Sequence, residues 1–121
     1  MKDFTEISSD QVIYEDDYFF IIHDAYPVSP GHLLIISKRL VNNYFELNPS
    51  EQFQLGNTIT QAKSLIEQSL NPQGYNIGMN CGEVAGQTVM HFHCHIIPRY
   101  LGDISNPRGG VRGVIPEKKE Y

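Results

Sequence analysis

The chain carries three histidines at strictly alternating positions, His91, His93 and His95, within Met90-His91-Phe92-His93-Cys94-His95-Ile96-Ile97. That spacing has the period of a β-strand, in which successive side chains point to opposite faces of a sheet. A strand here sets the three imidazoles in a row on one face and turns Met90, Phe92, Cys94 and Ile96 toward a core. Same-face neighbours stand roughly 6 to 7 Å apart, so the middle imidazole is flanked by the other two. The chain has five histidines in all, and three of them fall in this row. One reading of the row is structural. A second is a metal site, because two histidines two apart on a strand can share a zinc ion, although the adjoining Gly86-Gln87-Thr88 supplies hydrogen-bond donors where further ligands would be needed. The third is nucleophilic catalysis, in which a neutral imidazole attacks and its neighbours hold it in one tautomer.

The remaining segments supply a sheet and one helix. Residues 11–14 read as a short strand, Glu15-Asp16-Asp17 as a turn and residues 18–23 as a buried strand, together a hairpin. Asp24-Ala25-Tyr26-Pro27-Val28-Ser29-Pro30-Gly31 must be a loop, followed by a third apolar strand over 32–37. After a mixed connection with a helical turn, Asn48-Pro49-Ser50-Glu51 starts a helix: a capping residue, proline in the first turn and an acid behind it. Leu55, Ile59, Ala62, Ile66, Ser69 and Leu70 recur at helical spacing up to Asn71-Pro72-Gln73-Gly74, which makes one helix of about six turns.

Residues 75–80 alternate again, with Tyr75, Ile77 and Met79 toward the core, and pair antiparallel with the histidine strand across a glycine loop. Asn80 and the Gly86-Gln87-Thr88 backbone then lie at one end of the histidine row, where amides, a carboxamide and a hydroxyl can cradle a phosphate. Pro98 closes the strand, and residues 98–121 form a flexible basic tail. Strands flanking one long helix indicate a single α+β domain on an antiparallel sheet spanning residues 1–121.

Composition narrows the partners. A net charge of −5 argues against general nucleic-acid binding. Residues 98–121 carry net +2 and residues 1–97 carry −7, a distribution suited to a small anionic ligand near the tail or to an ordinary solvated tail. The tail residues Arg108 and Arg112 are candidates for contacts to such an anion. No apolar run is long enough for a membrane span and no secretory pattern opens the chain, so a cytoplasmic protein without membrane partners is expected. Cys81 and Cys94 are not closely paired, and Cys94 faces the core by alternation.

Gly86-Gln87-Thr88-Val89-Met90-His91-Phe92-His93-Cys94-His95-Ile96-Ile97-Pro98-Arg99 resembles the signature of the histidine triad (HIT) superfamily of nucleotide hydrolases and transferases, and His23-Asp24 with Pro30-Gly31-His32 extends the likeness. The resemblance implies a HIT-like domain with a five-stranded antiparallel sheet and one long helix, forming a homodimer with joined sheets. It implies attack at the α-phosphorus of a purine nucleotide conjugate, such as a dinucleoside polyphosphate or a nucleoside phosphoramidate, releasing a nucleoside monophosphate. His93 is then the nucleophile of a covalent nucleotidyl-histidine intermediate, and His95 donates to a nonbridging oxygen. Gln87 and Thr88 contact the phosphate or leaving group, Asn80 assists, and His91 and His32 are supports. Asp24 accepts from the ribose hydroxyls and Ile22 flanks the base. No metal is needed within the protein, although Mg2+ can accompany a polyphosphate substrate. An alternative of another class is a nucleotide-binding regulatory module with slow or vestigial catalysis. The N-terminal cysteine pair that holds zinc in some triad proteins has no counterpart here.

Overall fold

The computed structural model describes residues 4–121. Five strands, β1 (Val12–Glu15), β2 (Phe19–His23), β3 (Leu33–Ser37), β4 (Gly74–Gly78) and β5 (His93–Arg99), form one antiparallel sheet in the order β1-β2-β3-β5-β4. The helix α1 (Pro49–Glu67) lies between β3 and β4 in the chain and packs over β2, β3 and β5. No helix of the described residues is long and apolar enough to cross a membrane.

Two-residue alternation gives the sheet two different faces. On the helix side, Phe19, Ile21, Leu33, Ile35, Cys94 and Ile96 pack with Phe92 against Leu55, Ala62 and Ile66 of α1. Burial pushes the Cys94 thiol up to about 12, so this cysteine is inert apolar filling. On the other side Ile22, Leu34 and Ile36 form a smaller cluster, partly roofed by Phe4, Ile7 and Val12. The ladder pairs Leu34 with His95 and Ile36 with His93, which puts both histidines on this thinly covered face.

Local chemistry sets the element ends. Asn48 accepts from the Glu51 amide at 2.9 Å while Glu51 accepts from the Asn48 amide at 2.8 Å, a reciprocal cap with Pro49 in the first turn. The Glu51 carboxylate is also gripped twice by Arg39, at 2.9 and 2.8 Å, which ties the β3–α1 connection to the helix start. The helix ends at Glu67, three residues short of Leu70, and the Ser69 and Leu70 amides turn in on Ile66 O at 3.3 and 3.1 Å. Gly31 has φ +88, and a Cβ there would meet Leu70 Cδ1 at 2.7 Å, so glycine lets the loop pass beneath the end of the helix.

Three expectations change. Strand β5 does not close at Pro98 but runs to Arg99, because its pairing with β3 ends at Ile96 and the missing amide costs no ladder bond on that side. Ile77 is not core: β4 is the edge strand beyond the helix, and Ile77 is 44% exposed while Tyr75 and Met79 pack on the core cluster. The tail is not a loose extension, since it folds into 3-10 turns at Gly110–Val114 and Pro116–Lys118.

A polar staple joins the first hairpin to the helix. Asp16 Oδ1 accepts from the Tyr18 and Phe19 amides at 2.9 Å each, and Oδ2 accepts from buried Thr58 Oγ1 at 2.6 Å and from Gln54 Nε2 at 3.2 Å. Burial pushes the Asp16 carboxyl up, but the four hydrogen bonds together hold it below its ordinary 3.8. The stabilisation is therefore complete above about pH 4 and is lost as the pH falls through the depressed folded-state value. Replacing Asp16 with Asn should lower stability by about 1.5 to 3 kcal/mol at neutral pH. Urea denaturation should show the difference from wild type shrinking in acid, and a constant difference across pH would remove the carboxylate from this role.

Candidate active site

The four relevant histidines are divided by what the backbone does to their rings. His93 Nδ1 lies 2.8 Å from the carbonyl oxygen of His91. A carbonyl only accepts, so Nδ1 carries the proton and the Nε2 lone pair is left for chemistry. His32 has the opposite arrangement, because its Nδ1 accepts from the Val28 amide at 3.2 Å and its proton must sit on Nε2. That Nε2 lies 2.9 Å from His95 Nδ1. His95 Nδ1 is therefore the acceptor, which puts the His95 proton on Nε2. Two neighbouring imidazoles, with centroids 5.3 Å apart, thus present unlike atoms: a bare nitrogen on His93 and an N–H on His95.

Burial favours the neutral forms of His95 and His32. Burial lowers the His95 pKa, the nearby His93 and His32 lower it further, and Asp24 opposes them. Burial likewise lowers the His32 pKa, again against Asp24. Asp24 Oδ2 stands 3.4 Å from His32 Nε2 and 3.8 Å from His95 Nδ1, while Oδ1 accepts from the Tyr26 amide at 2.8 Å, a turn bond that sets the loop's direction. Asp24, His32 and His95 offer three ligand atoms within 4.8 Å of one another, the one grouping among the described residues that could hold a metal ion. Its His32–His95 contact has the length of a hydrogen bond, and a shared ion would have to displace that proton.

A cleft of about 610 Å3 opens over the histidine pair. His93 and His95 form its reactive end, with Asn80 and Thr88 beside them, and Asp24 and Ile22 lie in its wall. The structure thus brings together seven of the residues expected at the site, counting His32 through its bond to His95.

Two others stand outside the cleft, His91 still as a support, since its carbonyl holds His93. His91 is not part of an exposed row: strand β5 begins at His93, and His91 is buried with Nε2 donating to the Ser37 carbonyl at 2.7 Å and Nδ1 accepting from the Phe4 amide at 3.0 Å. The cause is a change of partner, since the Phe92 amide bonds Val41 O at 2.7 Å in the β3–α1 connection and not the β3 ladder. Gln87 does not line the cleft either. It is buried, its Oε1 accepts from the Gly82 amide at 2.8 Å, and its Nε2 donates to Asn42 O at 2.5 Å and Val89 O at 3.1 Å. Gln87 braces the glycine loop and is occupied in doing so.

The tail arginines also turn away. Arg108 donates to Tyr121 O at 2.6 Å and Arg112 to Lys119 O and Lys118 O at 3.2 and 2.8 Å, and both guanidinium groups stack on the Tyr121 ring. Sequence reasoning also passed over Phe4 and Ile7, which line the cleft. Phe4 meets His91 and His93 edge-on, with centroids 5.7 and 5.1 Å away. Their only signal is an apolar pair three residues apart in a polar stretch.

Comparison with known proteins finds relatives of the chain. The family model described as the HIT domain matches residues 5–102. An uncharacterized HIT-like protein of Methanocaldococcus jannaschii is 41% identical over 95 residues, 77% of this chain and 71% of that protein. The asymmetrical bis(5'-nucleosyl)-tetraphosphatase of Schizosaccharomyces pombe is 38% identical over 95 residues, 78% of this chain, which spans only 52% of the yeast protein. A crystal structure of a HIT family member from Bacillus subtilis matches with TM-score 0.74 and 31% identity over 94% of this chain and 82% of that one.

The bracing role of Gln87 is open to test. Gln87→Ala leaves the part-buried Gly82 amide and two carbonyls without this partner and should cost about 1 to 3 kcal/mol in chemical denaturation. Affinity for a nucleoside monophosphate should be little changed in the folded fraction. Unaltered stability with a selective loss of monophosphate over nucleoside binding would restore Gln87 to the phosphate.

Proposed function

Because the chain belongs to the histidine triad family, we propose that it is a nucleotidyl hydrolase or transferase acting at the α-phosphate of a purine nucleotide conjugate through a covalent intermediate on His93. The observation that carries this reading is the unlike pair of nitrogens. The bare Nε2 of His93 attacks phosphorus, and the Nε2–H of His95 donates to a nonbridging oxygen as charge builds there. Phosphoryl centres respond chiefly to such positioning and to donors aimed at their oxygens.

The nucleoside occupies the wall of the cleft, with Ile22 against the base and the Asp24 carboxylate accepting from the ribose hydroxyls. Thr88 and Asn80 contact the phosphate from the other side. Leaving groups compatible with this arrangement include the phosphate chain of a dinucleoside polyphosphate and the amine of a phosphoramidate. The yeast relative's name supports the first. No step calls for a resident metal, and Mg2+ enters only as a companion of a polyphosphate substrate. We further take the working unit to be a homodimer, supported by the edge position of β4 and by Phe53, which is 84% exposed on α1.

Rapid-quench kinetics with a dinucleoside polyphosphate should show a burst of leaving group equal to the enzyme present. Mass spectrometry of the quenched protein should find a nucleotidyl group on His93. His93→Ala should lose turnover and retain nucleotide binding, whereas near-normal hydrolysis by this variant would refute the assignment. Asp24→Ala should weaken ribonucleotide binding about tenfold or more with little effect on analogues lacking both hydroxyls, and equal losses on both would confine Asp24 to the turn.

A further inference from the structure

The floor of the cleft at Ile22 and Leu34 belongs to one row that crosses the sheet. Val12 of β1 pairs with Ile22 of β2, Ile22 with Leu34 of β3, and Leu34 with His95 of β5. Three strand spacings separate β1 from β5, roughly 14 Å. A nucleotide with its phosphorus at His93 and its base on Ile22 therefore points the far edge of that base toward β1. In a purine the edge farthest from the sugar carries the C6 substituent. There it meets Gln11, which lines the cleft from the turn Ser9–Gln11 immediately before β1.

Gln11 is exposed, yet its carboxamide has a fixed sense. The Ser8 amide stands 3.0 Å from it, and an amide N–H only donates, so the atom turned to Ser8 is Oε1. Ser8 Oγ lies 3.0 Å from the same oxygen. The end left for a ligand is Nε2, which donates and cannot accept. His23 also borders this end of the cleft. Side chains alternate along β2, however, and with Ile22 on the cleft side His23 turns to the helix side, where it lines a groove with Leu65 and Ser69.

We propose that Gln11 selects the base, so that the site takes 6-oxopurine nucleotides, those of guanine or hypoxanthine, in preference to adenine nucleotides. The inference rests on the nucleotidyl-transfer reading for where the nucleoside lies, and adds which purine is bound there. Guanine presents an acceptor oxygen at C6 and adenine presents a donor amino group. The oxygen accepts from Gln11 Nε2, whereas the amino group sets N–H against N–H and removes both from water without a bond. The Ser8 amide sustains the choice, because a flipped carboxamide would turn Nε2 against that N–H. A donor is thus held facing the base by a backbone group that does not change.

The test is calorimetric titration of the full-length protein with the 5'-monophosphates of guanosine, inosine and adenosine. Wild type should bind the guanosine and inosine compounds alike and the adenosine compound on the order of three- to tenfold more weakly. Gln11→Glu keeps one oxygen for the Ser8 amide and presents a second in place of Nε2. Its added charge weakens all three ligands, so the ratio is read, and the order should reverse in favour of adenosine. Gln11→Ala should bring the ratio near one. A wild-type ratio near one, or a wild-type preference for adenosine, overturns the assignment of Gln11 while nucleotide binding in the cleft stands. A guanosine preference that both variants keep places the selection on another group and overturns it as well. Inosine bound as weakly as adenosine assigns the selection to the 2-amino group of guanine and overturns the reading at C6. Binding of none of the three by wild type removes the nucleotide reading, and this inference with it.

Discussion

The site depends on where three protons sit, and main-chain groups decide that. The His91 carbonyl fixes the His93 proton on Nδ1. The Val28 amide fixes the His32 proton on Nε2 and, through the 2.9 Å contact, the His95 proton on its own Nε2. An imidazole free to exchange tautomers would offer nucleophile and donor in turn. Backbone groups do not titrate in this range, so among the neutral rings the choice of tautomer rests on fixed partners.

The fold exists to hold those main-chain groups still. Strand β5 sits between β3 and β4, so His95 is paired on both sides, with Leu34 and Gly78, and His93 on one, with Ile36. The helix face beneath is closed by Phe19, Ile35, Cys94 and Ile96, which leaves the sheet no freedom to twist away. The loop carrying Val28 is tied at both ends, by Ser29 Oγ donating to Pro98 O at 2.6 Å and by the Asp24 amide donating to His32 O at 3.0 Å. Gln87 and buried His91 brace the segment that enters β5. Packing on one face and hydrogen bonds at the loop ends thus produce a precise pair of nitrogens on the other face.

Much of this is written in the sequence because it is periodic. Alternation of two placed β5 and the direction of His93, His95 and Cys94, and Asn48-Pro49 located the start of α1 to the residue. What periodicity could not convey is where a pattern outruns its partner strand. His91 keeps the alternation but enters a different hydrogen-bond environment, since β3 has ended at Ser37. Ile77 keeps it too, but lies beyond the reach of the helix. Gln87 looked like a ligand because a carboxamide beside glycines is suited to a phosphate, and nothing local reveals that Asn42, far away in the chain, takes its donor. The tail's glycines and prolines suggested mobility, whereas its arginines find carbonyls that only the folded turns bring near.

The central claim is the division of labour between His93 and His95, and long-range nitrogen–proton NMR of the imidazole rings reads it directly. With 15N-labelled protein near neutral pH, His93 should show the pattern of a proton on Nδ1 and a bare Nε2, while His95 and His32 show the reverse. His93 found with its proton on Nε2, or averaging between the two forms, would contradict the account, because the atom assigned to attack phosphorus would then lack its lone pair.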